Sequence, residues 1–309
     1  MISVIICTYN RSEILRECIE SVLKNQVEND FELLVIDNNS NDNTEEIVSL
    51  FTNNYSNVRY VKEEQVGLSI ARNTGIAEAT GEIVAFIDDD VVVSPLYIQA
   101  IHSFFCEHPE EVCAGGKVIP VWEFEKPEWF VKNFASIIGE TTYGEKKRIL
   151  KFQEVPIGCN MIFKKEIFRK TGMFNINLGI KGDELFLGEE NALCEKIRKL
   201  GRNIYYLPEA YVRHKVHRNK VSQDYVLRRL KLEGASMAQW HMETKKKTDV
   251  LLQYTLRFMM LWCKDIPLLL LRRNSFALQC KVSRKREYLK QIRKLMKFQE
   301  KPQNLELKK

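Results

Sequence analysis

Glu82-Ile83-Val84-Ala85-Phe86-Ile87-Asp88-Asp89-Asp90 is the stretch from which the fold of this 309-residue chain is read. Residues 83–87 are apolar and rich in β-formers, with Gly81 just upstream, so they predict a buried strand. Side chains alternate along a strand, so Asp88 and Asp90 should point one way and Asp89 the other. Two carboxylates converging at the carboxyl end of a strand suit a hard divalent cation, Mg²⁺ or Mn²⁺, which takes oxygen ligands and bridges carboxylates to substrate phosphates. Taken alone, the triplet also fits a solvated acidic turn.

The elements upstream decide between these readings. Strand 2–7, helix 12–25, strand 31–37, helix 42–52, a short strand at 58–61, helix 68–79 and strand 82–88 follow one another. Strands alternating with helices of this length predict βαβ units, an α/β fold and a mainly parallel sheet. Ligands in such sheets bind beyond the carboxyl ends of the strands. Three polar groups fall there: Thr8-Tyr9-Asn10-Arg11, Asp37-Asn38-Asn39-Ser40 and Asp88-Asp89-Asp90. Each alone could cap a helix or form a turn; together they predict one crevice.

Composition sets the frame. Apolar residues make up 45% and charged residues 28%, ordinary for a globular protein. The eight cysteines form no CxxC pair and no framework spacing, which predicts a reduced, intracellular chain. Met1 to Cys7 already read as the first strand and lack a cationic start, so no signal peptide is expected. Residues 202–309 carry 26 Lys and Arg against 9 Asp and Glu, a balance of +17, whereas residues 1–201 balance at −11. An acidic front and a basic rear predict two functional surfaces, one for metal and phosphate and one for an anionic surface such as lipid headgroups.

The ordered motifs resemble the family 2 glycosyltransferases of GT-A fold. They run Val4-Ile5-Ile6-Cys7-Thr8-Tyr9-Asn10-Arg11, Val35-Ile36-Asp37-Asn38-Asn39-Ser40-Asn41-Asp42, Gly67-Leu68-Ser69-Ile70-Ala71-Arg72-Asn73, Asp88 to Asp90, Gly158-Cys159-Asn160, Gly188-Glu189-Glu190-Asn191 and Val212-Arg213-His214. The resemblance covers roughly residues 1 to 235. It implies a Rossmann-like catalytic domain over 1–220, with a donor-nucleotide half at 1–120 and an acceptor half at 121–220, followed by a helical, basic extension at 221–309.

The resemblance also implies an activity: inverting, metal-dependent transfer of a hexosyl or deoxyhexosyl group. The donor is a nucleotide sugar and the acceptor a glycan or a lipid-linked molecule in surface polysaccharide assembly, at the cytoplasmic face of a bacterial membrane. Thr8, Tyr9, Asn10, Arg11, Asp37, Asn38, Arg72, Asp88 and Asp89 fall at donor-binding positions. Asp90, Asp88 and His214 would hold Mn²⁺ or Mg²⁺, with His217 a rival to His214. Glu190 takes the place of the base, with Glu189 in reserve. The family usually has Glu-Asp here, and a Glu at the second position moves the carboxylate by roughly an ångström or more. The same acidic pair would also suit the first turn of a helix through its dipole.

Other segments leave alternatives open. Trp122, Trp129, Phe130 and Tyr143 are either acceptor-stacking rings or core. Gly179 to Gly188, including Gly182 and Asp183, reads as a mobile loop before the base, suited to a closing lid. Residues 250–271 are apolar but interrupted by Arg257, Lys264, Asp265 and Pro267, which makes a poor spanning helix. Basic residues from Arg272 to Lys297 interleave with apolar ones and predict an amphipathic helix, so peripheral membrane contact is expected through 250–297. A helical appendage packed on the protein is the alternative, and no motif supports nucleic-acid binding. Two other activities fit parts of the pattern, a nucleotidyltransferase and a non-catalytic sugar-nucleotide-binding scaffold.

Overall fold

The computed structural model describes residues 1–25, 31–181, 184–186, 188–272 and 275–299. Its first half alternates as the sequence predicts: β1 (Ile2–Thr8), α1 (Ser12–Leu23), β2 (Phe31–Asp37), α2 (Thr44–Thr52), β3 (Val58–Lys62), α3 (Leu68–Glu78) and β4 (Ile83–Asp88). Then follow β5 (Val91–Val93), α4 (Tyr97–Glu107), β6 (Cys113–Val121), β7 (Arg148–Ile149), β8 (Asn160–Lys164) and α5 (Ile167–Thr171). A ribbon of β9 (Gly179–Lys181) and β10 (Glu184–Phe186) leads to α6 (Glu189–Lys199) and β11 (Tyr205–Lys215).

The main sheet runs β3-β2-β1-β4-β8-β6-β11-β5, with β7 beside β11. Strands β3, β2, β1, β4, β6 and β11 share one direction, and β8, β5 and β7 oppose it. The fold is therefore α/β with a mainly parallel sheet. Strict alternation builds its two faces. Val4, Ile6, Leu33 and Val35 pack on α1, α2 and α4, while Ile5, Leu34, Ile36 and Phe86 pack on α3, α5 and α6. Burial on both faces explains why these strands read as continuous apolar runs. At Gly75 of α3 an added Cβ would lie 2.6 Å from Ile5 Cγ2, so this helix sits closer to the sheet than a side chain allows.

Register then decides the site. Thr8 pairs with Asp37 and Cys7 with Asp88, so all three polar groups emerge at one end of the sheet. Asn10 and Asn39 take left-handed backbone conformations (φ 52° and 64°), tolerable for Asn. Their loops are tied by Asn10 N–H donating to Ser40 Oγ and Asn41 N–H donating to Asn10 Oδ1.

Several expectations change. Helix α2 starts at Thr44 rather than 42, because the Asp42 carboxylate accepts from Thr44 and Ser12 backbone N–H and so stands outside the helix. Pro208 lies inside a strand. Strand β11 runs through it, and its register against β6 shifts between Leu207 and Val212, a bulge that spares a ladder the N–H proline lacks. Within the segment read as a loop, Gly179–Lys181 and Glu184–Phe186 pair as a ribbon beside the point where Ser69 Oγ donates to Leu178 O; Gly182 and Asp183 lie outside the described residues. Of the rings left open by the sequence, Phe130 is core, and Trp122, Trp129 and Tyr143 are partly buried against it or its neighbours. Trp129, Phe130 and Phe134 pack with Phe276 of the C-terminal helices, and Tyr143 packs on Tyr206 while its hydroxyl donates to Val155 O.

The rear of the chain is helical: α7 (Gln223–Thr244), α8 (Lys247–Met260), a π-helical turn (Leu261–Asp265), α9 (Ile266–Leu271) and α10 (Phe276–Gln299). Helices α7 and α10 approach so closely that a Cβ on Gly234 would lie 2.3 Å from Arg284 O. Asp265 is fully buried and takes Lys281 at 2.9 Å and Lys285, fastening the π turn to α10. The apolar side of α10, including Tyr288, Leu289 and Ile292, is buried against its neighbours. That helix does not present the free apolar face expected of it.

Candidate active site

Asp88 ends β4, and the chain turns through Asp89 and Asp90 into β5, which pairs with β11 at Val91–His214. That pairing brings His214 to the triplet from 124 residues away in sequence and gives Asp88, Asp90 and His214 ligand atoms within 4.8 Å of one another. The expected alternation holds here: Asp89 turns elsewhere, accepting from Thr8 Oγ1 at 2.8 Å and Arg11 Nη1 at 2.6 Å.

The Asp90–His214 contact carries the chemistry. His214 Nδ1 lies 2.8 Å from Ile138 O, which holds a proton on Nδ1 and makes Nε2 the lone-pair nitrogen whenever the ring is neutral. Nε2 then turns a lone pair toward Asp90 Oδ1, 3.1 Å away. Among the described residues both atoms are buried with no hydrogen-bond partner. Two acceptors facing each other in a buried site are satisfied by a proton on Nε2 or by a cation between them, so the residues fit a bound metal. The other oxygen, Asp90 Oδ2, is ringed by Arg11 Nη2 at 2.7 Å, His217 Nε2 at 3.1 Å and Lys220 Nζ at 3.5 Å.

These surroundings separate the three carboxyls. Burial pushes Asp89 up to about 7, with Arg11 opposing. Burial and the Asp90 charge raise Asp88. Asp90 is buried too, yet His214, His217 and Lys220 hold it well below the usual carboxylate range. Burial would lower His214, but its bond to Asp90 raises it.

The second acidic group opens α6. Glu189 is buried and accepts from Arg72 Nη1 at 2.8 Å, while Glu190 lies 3.9 Å from the same atom. Arg72 is itself buried, donates to Gly158 O at 3.3 Å and stacks over Phe174. An added Cβ on Gly158 would come within 2.4 Å of Glu190 Oε1, so that carboxylate rests on bare backbone. Burial and the Glu189 charge push Glu190 up to about 8, with Arg72 opposing. The pair is divided: Glu189 pairs with Arg72, and Glu190 is raised to where a carboxyl can exchange a proton near physiological pH.

The remaining residues fall into distinct places. Asp37 is buried, accepting from Ser40 N–H at 2.9 Å and Tyr60 hydroxyl at 2.7 Å, with lone pairs to spare. Asn38 clamps the next loop by accepting from Gly67 N–H and donating to Gln65 O. Tyr9 is 38% exposed beside them. Arg72 is tied to the α6 carboxylates, and Arg11 to Asp89 and Asp90. Sequence reasoning missed Lys220 and Tyr60. The basic run around His217 carried a signal for the first; nothing local marked the second.

An acidic, histidine-containing cluster beyond the strands of a mainly parallel sheet, with an acidic pair opening a later helix, marks the crevice of an α/β fold. The sequence profile of Glycosyl transferase family 2 matches residues 3–172, and the chain belongs to that family. It is a glycosyltransferase. A glucosyl-dolichyl phosphate glucuronosyltransferase of Haloferax volcanii is 30% identical over 76% of this chain and 75% of its own. Glycosyltransferase GlyA of Streptococcus pneumoniae serotype 4 is 24% identical over 72% of this chain and 31% of its own. Among solved structures, mannosyltransferase PcManGT from Pyrobaculum calidifontis, in complex with GDP-Man and Mn²⁺, superposes with a TM-score of 0.63 at 16% identity, over 93% of this chain and 86% of that one. This structural likeness places the fold among GT-A glycosyltransferases.

Proposed function

We propose that the enzyme is a metal-dependent inverting transferase that moves a sugar from a nucleotide-sugar donor to a glycan or lipid-linked acceptor in surface polysaccharide assembly. The observation that carries this reading is that Asp90 Oδ1 and His214 Nε2 face each other at 3.1 Å, buried and with no other partner among the described residues, beside Asp88. These three residues would hold Mn²⁺ or Mg²⁺, and the ion supplies charge neutralisation to a departing diphosphate when bound. The donor lies over Thr8, Tyr9, Asn10, Asp37 and Asn38, and Asp37 accepts from the ribose or base. Arg11, His217 and Lys220 surround Asp90 Oδ2 and offer phosphate oxygens a cationic rim.

Glu190 accepts the proton of the acceptor hydroxyl as that oxygen attacks the anomeric carbon. Arg72 and Glu189 hold its helix end in place and tune its charge. The relative whose name includes dolichyl phosphate supports a lipid-linked acceptor. That acceptor puts the enzyme at the cytoplasmic, inner face of the cell membrane, with residues 1–220 as the catalytic domain and the helices after 221 as the membrane-side extension. No described helix is long and apolar enough to cross a membrane.

The test is a panel of nucleotide sugars incubated with Mn²⁺, Mg²⁺ or EDTA and candidate lipid phosphates and glycans, reading released nucleoside diphosphate and the anomeric configuration of the product. Metal-dependent release with inversion is expected. Retention of configuration refutes the direct role of Glu190, and full turnover in EDTA refutes the metal site.

A further inference from the structure

Segment 251–271 carries nine of the twenty large hydrophobic side chains exposed among the described residues. Helix α8 is held to the protein along a narrow stripe that includes Val250, Gln253, Arg257 and Leu261. Its other sides present Leu251, Leu252, Leu256, Met259, Met260 and Trp262 to solvent, and α9 adds Leu270 (62% exposed) and Leu271 (83% exposed). None of the exposed residues between 251 and 263 is charged. A contiguous apolar surface of this kind marks a docking face rather than scattered surface residues.

Its surroundings name the occupant. Lys246 and Lys247 precede the face, Lys264 follows it and Arg272 ends α9, against one exposed acid, Asp249. Between α8 and α10 runs a groove of about 560 Å³ with Phe258 and Trp262 on one wall and Arg286, Lys290, Arg293, Lys294 and Lys297 on the other. None of the side chains lining it is acidic. An uncharged apolar face bordered by cations, with an aromatic-and-basic groove opening beside it, is complementary to an anionic bilayer: acyl chains against the first, phosphate headgroups in the second.

We infer that α8 and α9 lie in the surface of an anionic membrane with the groove of α10 collecting lipid phosphates. The inference rests on the membrane-side reading above and changes its agent. The apolar contact is made by 251–271, and α10, whose own apolar side is buried, contributes only charge.

The experiment is flotation of the full chain with vesicles of phosphatidylcholine, or of phosphatidylcholine with phosphatidylglycerol. Wild type is compared with Leu252→Asp/Leu256→Asp and with Lys290→Glu/Lys294→Glu, all at exposed positions, and thermal melts confirm that each variant folds. Wild type should float only with the phosphatidylglycerol vesicles. The paired Asp variant should lose binding at least about ten-fold. The paired Glu variant should lose the preference for the anionic lipid. Flotation of the Asp variant equal to wild type, or no flotation of wild type, overturns the inference. So does a concentration-dependent dimer that Leu252→Asp/Leu256→Asp dissolves, which would make the face a contact between copies. Flotation needs no turnover, and donor hydrolysis measured on the same variants tests the catalytic reading separately.

Discussion

Asp90, buried, and Glu190, partly buried, are carboxyls at the same end of one sheet, and their surroundings drive them in opposite directions. Asp90 sits among His214, His217, Arg11 and Lys220 and is held well below the ordinary range. Glu190 shares one arginine with a second glutamate that has the better claim on it, and is pushed up to about 8. A carboxylate that must stay charged to hold a cation and one that must gain and lose a proton need these two environments. Position on the fold supplies them: one residue lies in the turn between two strands, facing a basic segment, and the other begins a helix over Gly158.

Breaking the second environment should have the largest effect. Glu190→Gln keeps the shape and removes the base, so steady-state kinetics should show kcat down by about 10³- to 10⁴-fold with donor affinity by calorimetry nearly unchanged. A comparable loss in Glu189→Gln with Glu190→Gln still active would move the base one residue. Gly158→Ala pushes a methyl against Glu190 Oε1, and kcat should fall about ten-fold, with donor binding again spared.

The pH profile sharpens the comparison. The base works ionised, so kcat/KM should rise with pH and level off above an inflection near 8. The Glu189 charge is one cause of that elevation. Glu189→Gln should therefore move the inflection to lower pH, because Arg72 is released to Glu190. An unmoved inflection in Glu189→Gln would assign the titration to another group. The smallest effect is expected at Tyr60→Phe, which removes one hydrogen bond to Asp37 and should weaken donor binding about five-fold.

The first part of the sheet, through β4, was legible because its strands announce themselves locally. Alternating apolar residues in β1, β2 and β4 place Thr8, Asp37 and Asp88 at one edge by register alone. The part after it was not. Strand β8 runs antiparallel between β4 and β6, and β11 crosses Pro208 by a bulge, two features that depend on partners far away in sequence. For the same reason the helix ends were close and the aromatic segment was ambiguous: Trp129 and Phe130 join one cluster only once Phe276 arrives from the last helix.

The site shows the same division. Asp88, Asp90, Glu189 and Glu190 could be named from their motifs, but the sharing of Arg72 between two glutamates could not. The isolated sequence read Arg72 toward the donor, and the fold ties it to the carboxylates of α6. His214 was nameable by resemblance, while its Nδ1 contact with Ile138 O, which frees Nε2, depends on a short helical segment 76 residues earlier.

The account stands on Asp90 being a metal ligand, and a thermal melt with a nucleoside diphosphate and Mn²⁺ tests that most directly. Wild type should be stabilised by the diphosphate when Mn²⁺ is present and not in EDTA, and Asp90→Asn should lose the Mn²⁺-dependent part of that shift. Equal stabilisation of wild type and Asp90→Asn by diphosphate with Mn²⁺, or stabilisation of wild type undiminished by EDTA, would contradict it.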